Sequence, residues 1–211
     1  CGQPTIGVMG FGTERIEEDV ARLFPEVPVS RMDLDTTRSR NAYEQIIDDF
    51  SKGKNKILIG TQMITKGLDF DRVSVVGILS ADQMMNFPDF RAHERAFQMM
   101  EQVSGRAGRK NKKGVVVLQT SDPSSPLIQQ VIAHDYEGMY NRQLAERKAF
   151  SYPPYTRLIY IYLKHRDETL LQELAVRYTT ALREVFGSRV LGPDNPPVAR
   201  IQSLYIRKVV L

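Results

Sequence analysis

Hydrophobic positions follow two different periods along this chain, and the switches between them mark its elements. Residues 13–24 place polar side chains around an apolar stripe, with Glu14, Glu17 and Glu18 in the early turns. That predicts a helix capped by Thr13, since acids favour the positive end of a helix. Residues 27–32 suit a strand. Residues 38–50 return to helical spacing, with Ile46, Ile47 and Phe50 as core positions. Three short apolar runs follow, at 56–60, 73–80 and 114–119. Near-continuous apolar runs of this length predict strands buried in a parallel sheet. Between the last two, residues 89–103 predict a helix entered after Pro88. Strands alternating with helices argue for an α/β layer with parallel strands.

The pattern changes after Ser121. Residues 126–148 read as helical, broken near His134, and Tyr152-Pro153-Pro154-Tyr155 then interrupts, because prolines in series cannot continue a helix. A strand at 157–164, a helix at 168–186, a short strand at 189–191, a loop at 192–197 and a last strand at 199–210 follow. This β-α-β-β order predicts a small α+β domain. The expected organisation is therefore an α/β domain over 1–150 and an α+β domain over 151–211. The second reads as incomplete because Leu211 falls inside an apolar run.

Composition narrows the setting. The 211 residues are 42% hydrophobic and 26% charged, as in ordinary globular proteins. No run of 18 or more apolar residues is present, so no membrane partner is expected. No signal peptide opens the chain, and residue 1 is not Met, so the start reads as a cut. One cysteine excludes an internal disulfide and fits a reducing, cytoplasmic setting. The net charge of +4 is uneven. Residues 1–50 carry 5 basic and 10 acidic side chains, and residues 51–120 carry 12 and 6. The densest basic stretch holds Arg106, Arg109, Lys110, Lys112 and Lys113. It suits a polyanion, either nucleotide phosphate or nucleic-acid backbone, and equally a solvated loop.

Candidate chemistry sits in two segments. In the first, the strand ending at Gly60 leads into Thr61-Gln62-Met63-Ile64-Thr65-Lys66-Gly67-Leu68-Asp69. Ligands of open α/β sheets bind beyond the carboxyl ends of strands. Thr61 there is placed to donate to a phosphate oxygen, and Gly67 lets backbone approach closely. The second is Gln102-Val103-Ser104-Gly105-Arg106-Ala107-Gly108-Arg109. Two arginines among small residues can reach a ligand arriving from another surface, and guanidinium groups match phosphate oxygens in pairs. Each segment also admits a plain structural role, as a strand-to-turn link and as a basic turn closing a helix. Arg91, Arg95, Gln98 and Gln102 fall at helical spacing and so share one face, facing either a cleft or solvent.

Together these segments resemble motifs V and VI of superfamily 2 helicases, which lie on the second RecA-like lobe. Within that superfamily, several blocks are similar to the PriA (primosomal protein N′) family. They are Gly10-Phe11-Gly12-Thr13-Glu14-Arg15, Arg31-Met32-Asp33-Leu34-Asp35-Thr36-Thr37, Ser80-Ala81-Asp82, Pro88-Asp89-Phe90-Arg91-Ala92 with Glu94-Arg95, Tyr152-Pro153-Pro154-Tyr155 and Leu191-Gly192-Pro193. The resemblance implies a RecA-like lobe 2 followed by a C-terminal domain. It implies Arg109 as an arginine finger and Arg106 as a γ-phosphate contact. Gln102, Gly67 and Asp69 would line the ATP side, and Thr61, Gln62, Lys66 and Arg91 the DNA side. It implies a parent that is an ATP- and Mg²⁺-dependent 3′-to-5′ DNA helicase acting at stalled forks and starting primosome assembly. Forked and single-stranded DNA, the single-stranded-DNA-binding protein and other primosome proteins would be its partners. The C-terminal domain would bind DNA or the single-stranded-DNA-binding protein.

Cys1 resembles the last ligand of that family's zinc-binding insertion. One cysteine cannot supply the roughly four ligands of a structural zinc site, so zinc is expected in the intact protein and not here. The three histidines show no ligand spacing and read as surface or packing residues. The chain contains no Gly-x-x-x-x-Gly-Lys-[Ser/Thr] phosphate loop and no Asp-Glu-x-His motif. The chain alone is therefore expected not to hydrolyse ATP. Two other readings stay open: another superfamily 2 motor, and a non-catalytic nucleic-acid or protein-binding module that keeps the fold.

Overall fold

The computed structural model describes residues 12–61, 64, 73–108 and 114–211. It divides into two compact units, residues 1–143 and 144–211. The first contains α1 (Thr13–Leu23), β1 (Val29–Met32), α2 (Arg40–Ser51), β2 (Ile57–Gly60), β3 (Val75–Ile78), α3 (Ala81–Met85), α4 (Ala92–Ser104), β4 (Val115–Leu118) and α5 (Pro126–Ile132). Helix α6 (Tyr136–Ala149) follows. Then come β5 (Tyr160–His165), α7 (Glu168–Phe186), a single 3-10 turn (Gly187–Arg189), β6 (Leu191–Asp194), β7 (Arg200–Ile201) and β8 (Leu204–Val210).

The strands of the first unit are parallel, as the βα alternation predicts. Among the described residues they pair as two ladders, β1 with β2 and β3 with β4. The apolar runs are not buried on both faces, contrary to expectation. Val76 and Leu118 pack with Ile78 against Phe97, Met100, Leu127 and Ile128 of α4 and α5. The alternate positions Val75, Val115 and Val117 stay more than half exposed. Strand side chains alternate between faces, so one helical layer covers only every second residue. The first ladder has its own core, in which Tyr43, Ile46, Ile47, Phe50, Leu58, Ile64 and Val73 surround the fully buried Met32.

Several boundaries differ from the sequence reading, each for a local reason. Gly12, not Thr13, caps α1, because the Thr13 hydroxyl donates to Asp33 Oδ2 at 2.6 Å instead. Helix α2 begins at Arg40 because the Ser39 hydroxyl accepts from the Ala42 N–H. Residues 81–85, not expected to be helical, form α3, held by Asp82. Its carboxylate accepts from the Thr120 hydroxyl at 2.7 Å and the Ser121 N–H at 2.8 Å. Helix α4 starts at Ala92, after a turn in which Asp89 accepts from the Arg91 N–H at 2.8 Å. The break near His134 is present, between α5 and α6, with His134 at φ 53°.

In the second unit, α7 spans the expected residues, capped by Asp167, whose carboxylate accepts from the Leu170 N–H. Its sheet is antiparallel in the order β5-β8-β6, with β7 also paired to β8. The strand expected at 199–210 is a hairpin, turning at Gln202 and Ser203 between the paired Ile201 and Leu204. Part of the expected loop at 192–197 is strand β6, paired to β8 through Leu191 and Asp194 with an irregularity between them.

Candidate functional site

The carboxyl edge of the β1–β2 ladder ends on the pair Met32 and Gly60. Beyond it β2 runs into exposed Thr61, whose carbonyl accepts from the Ile64 N–H at 3.1 Å. Gly60 must lack a side chain, because a Cβ there would overlap the Met32 carbonyl oxygen and the Ile64 side chain. This close approach seats the start of the Thr61 loop directly on β1.

Beside it, β1 runs into a turn organised by buried Asp33. Asp33 Oδ1 accepts from the backbone N–H groups of Asp35 at 3.0 Å and Thr36 at 2.9 Å. Oδ2 accepts from Thr13 and lies 3.4 Å from Arg31 Nε. The Asp33 carbonyl accepts from the Thr37 hydroxyl. The Thr13 hydroxyl, then the Thr36 N–H, with smaller help from the Thr36 hydroxyl and the Arg31 charge, outweigh burial and hold the carboxyl down at about 2. A depressed carboxyl stabilises the fold above its unfolded value, 3.8 here, and that contribution disappears as pH falls toward 2. Asp33→Asn should therefore be less stable at neutral pH and lose less further stability between about pH 4 and 2. Chemical unfolding across that range checks this, and parallel pH curves for the two chains would contradict it. In the sequence Asp33 stands out only as part of the Arg31–Thr37 block. The available signal was an aspartate followed by a threonine three residues on, which permits a side-chain-to-backbone turn.

The second segment begins on α4. Ala92, Ala96, Phe97 and Met100 bury one face, while Arg91, Arg95, Gln98 and Gln102 are all exposed, so they do share a face. Arg95 is paired with Asp89 Oδ2 at 3.0 Å, and the Arg91 guanidinium lies 5.4 Å from the centre of the Phe90 ring. At the helix end the chain tightens, with the Arg106 N–H donating to Val103 O and the Ala107 N–H to Ser104 O. Arg106 is half-buried. Gly108, at φ +76°, donates its N–H to Val73 O at 3.0 Å. On the other side, a Cβ at Gly114 would overlap the backbone of Ala107 and Gly108. The turn is thus held between the entries to β3 and β4.

Val73 joins the two segments. Its carbonyl holds Gly108, and its side chain packs on Met32 alongside that of Ile64. The structure so brings Ile64, just past Thr61, and the Arg106 turn onto one support. His134, read as an ordinary histidine, places Nδ1 3.0 Å from both carboxylate oxygens of Glu101 and so ties α4 to the α5–α6 break. Sequence offers no signal for a pair 33 residues apart.

Of the expected site residues, Thr61, Arg91, Gln102 and Arg106 are placed as above. Gln62, Lys66, Gly67, Asp69, Arg109 and Cys1 lie outside the described residues. Gln102 and Arg106 supply donors suited to phosphate oxygens. No group of three or more His, Cys, Asp or Glu suited to a metal occurs among the described residues.

Parallel strands, a polar helix face and a pinned arginine turn make this unit an α/β layer, and its class comes from its sequence match. Residues 8–111 match the model of the helicase conserved C-terminal domain. The chain is 42% identical over 213 aligned residues to replication restart protein PriA of Bacillus subtilis, covering 100% of this chain and 26% of that protein. It is 38% identical to that of Synechocystis, over 97% of this chain and 25% of the relative. Against that of Haemophilus influenzae it is 36% identical, over 100% and 29%. The chain belongs to the PriA family and spans about a quarter of the length of these relatives.

Proposed function

We propose that this chain is the second motor lobe, over 1–150, and a C-terminal domain, over 151–211, of an ATP-driven DNA helicase that restarts replication. The observation carrying this reading is the shared support at Val73, whose carbonyl holds the phosphate-suited arginine turn and whose side chain packs on Met32 with Ile64, three residues past Thr61. Such a support couples a nucleotide contact to a nucleic-acid contact, as a motor requires. ATP and Mg²⁺ would be bound chiefly by another lobe. Arg109 and Arg106 reach the γ-phosphate, while Gln102, Gly67 and Asp69 line the nucleotide side. Thr61, Gln62, Lys66 and Arg91 hold the DNA strand. Closure of the lobes brings Arg109 onto the phosphate, and opening after hydrolysis shifts the grip of the Thr61 loop, a gating motion.

Family membership favours 3′-to-5′ movement, action on forked and single-stranded DNA in the cytoplasm, and assembly with the single-stranded-DNA-binding protein and other primosome proteins. Zinc, with Cys1 as one ligand, belongs to the intact parent. The 211-residue chain by itself is inactive in ATP hydrolysis. The deciding experiment is ATP hydrolysis by the intact parent with and without forked DNA. Stimulation by DNA supports the motor, and its absence favours a binding module that keeps the fold.

The DNA side makes its own prediction. Arg91→Ala should weaken binding of the parent to DNA of any sequence and reduce the slope of log affinity against log salt by about 1. An unchanged slope removes Arg91 from the interface.

A further inference from the structure

Gln102 and Arg106 sit in and just past the last turn of α4, and two kinds of contact hold that turn. Met100 and Val103 pack into the apolar cluster that includes Leu127, Ile128 and Val131 of α5. Such contacts are non-directional, so they fix the distance between helices better than the rotation of either. The second contact has a direction. His134 Nδ1 lies 3.0 Å from Glu101 Oε1 and 3.0 Å from Glu101 Oε2. An ionised carboxylate only accepts, so Nδ1 carries the proton and donates it between the two oxygens. The Glu101 carbonyl accepts from the Gly105 N–H at 2.9 Å, and the Arg106 N–H donates to Val103 O at 3.0 Å. Glu101 therefore anchors the exit from the helix through its backbone while His134 holds it through its side chain.

The corner that carries His134 is itself well bonded. Its N–H donates to Val131 O at 3.2 Å and the Asp135 N–H to Gln130 O at 2.8 Å. Asp135 Oδ1 then accepts from the Gly138 N–H at 2.8 Å, where α6 begins. His134 sits at φ 53°. Glycine adopts that backbone at no steric cost and asparagine visits it readily, so the turn alone does not call for a histidine. Stability does not call for one either. The His134 side chain is 70% exposed and that of Glu101 28%. Exposed pairs of this kind add little to the free energy of folding. What the pair adds is direction.

We infer that His134 is a positioning residue for the phosphate-suited turn: its bond to Glu101 sets the rotation of the last turn of α4 and with it the reach of Gln102 and Arg106. His134 acts through Glu101 and touches no nucleotide itself. The effect on turnover rests on the motor reading given above, in which Gln102 and Arg106 meet ATP. The hold on the turn does not.

Three substitutions separate the side chain from the backbone. His134→Gly keeps the backbone and removes the donor. His134→Asn restores a donor, because asparagine bonds Nδ2 to Cγ where histidine bonds Nδ1. Glu101→Ala removes the acceptor and keeps the helix, since alanine is the best helix former. In the intact parent with forked DNA, His134→Gly and Glu101→Ala should each lower kcat/KM for ATP at least about fivefold, a fraction of the roughly 100-fold cost of a 1 Å misplacement. The loss should divide between kcat and KM as it does for Arg106→Ala. Both substitutions together should cost no more than either alone, because the two residues share one bond. His134→Asn should stay within about twofold of the unsubstituted parent. In the 211-residue chain, amide hydrogen exchange at residues 105–107 should quicken in His134→Gly and Glu101→Ala and not in His134→Asn. Normal turnover in His134→Gly beside an impaired Arg106→Ala overturns the inference and leaves the motor reading standing. So do additive losses in the double variant, or a His134→Asn variant as slow as His134→Gly. If the parent shows no DNA-stimulated hydrolysis, or Arg106→Ala is silent, the motor reading fails and amide exchange decides alone. Faster exchange that His134→Asn reverses then keeps His134 as the hold on the turn, and equal exchange in all the chains removes it. If His134→Gly unfolds, Glu101→Ala carries the comparison.

Discussion

Arg109→Ala in the intact parent is expected to lower DNA-stimulated ATP hydrolysis by about 10³-fold or more, the range measured for arginine fingers in phosphoryl transfer. A guanidinium placed on the γ-phosphate acts where charge redistributes as the phosphoryl group moves, so its loss appears in turnover rather than in assembly. DNA binding should change little, because the Thr61 loop and Arg91 are separate groups. Steady-state hydrolysis at saturating ATP and DNA, with binding measured in parallel, checks both halves. If Arg109→Ala turns over normally, the catalytic assignment fails. Arg106→Ala distinguishes the two arginines. Losing a γ-phosphate contact made in the ground state raises KM, whereas losing one made only in the transition state lowers kcat.

The second large effect comes from a residue that contacts no substrate. Gly114→Ala places a methyl where the backbone of Ala107 and Gly108 now lies. Backbone cannot swing aside as the end of a flexible side chain can, so the turn must move, and the Gly108 N–H leaves the Val73 carbonyl. A displacement of about 1 Å at a positioned group can cost about 100-fold in rate, and a loss of that order is expected for the parent. The readout that separates positioning from unfolding is a paired measurement. Hydrolysis should collapse while the thermal transition of the 211-residue chain shifts by only a few degrees. Full activity in Gly114→Ala would mean that the turn tolerates movement and that its pinning is incidental. Gly77→Ala, where an added Cβ meets nothing, serves as the control.

Both predictions rest on features that sequence and structure reveal in different measure. The βα alternation, the parallel pairing, the break at His134 and α7 to the residue were legible, because each is encoded by neighbours in sequence. Apolar spacing sets an element's type, and a side-chain cap such as Asp167 sets its end. The shared polar face of Arg91, Arg95, Gln98 and Gln102 was legible for the same reason, since helical geometry fixes it without reference to the rest of the fold. The Arg106 segment stood out because two arginines among glycines are unusual at any position.

Other features depended on partners distant in sequence. Thr13 has the chemistry of a helix cap, yet its hydroxyl goes to Asp33, 20 residues away, and the cap moves to Gly12. Short α3 exists because Asp82 meets Thr120 and Ser121 across nearly forty residues. The hairpin at Gln202 carries no glycine to announce it and follows from the pairing of β7 with β8. The apolar runs of β3 and β4 could not tell how many faces a helical layer covers, and the structure leaves Val75, Val115 and Val117 open. Sequence alone determined most of the element types and the family, because those follow from local spacing and side-chain chemistry. Tertiary structure decided that Val73 joins the two candidate segments and that Gly114 pins the arginine turn. Those depend on strand register and on backbone contacts between distant positions, which no local pattern encodes.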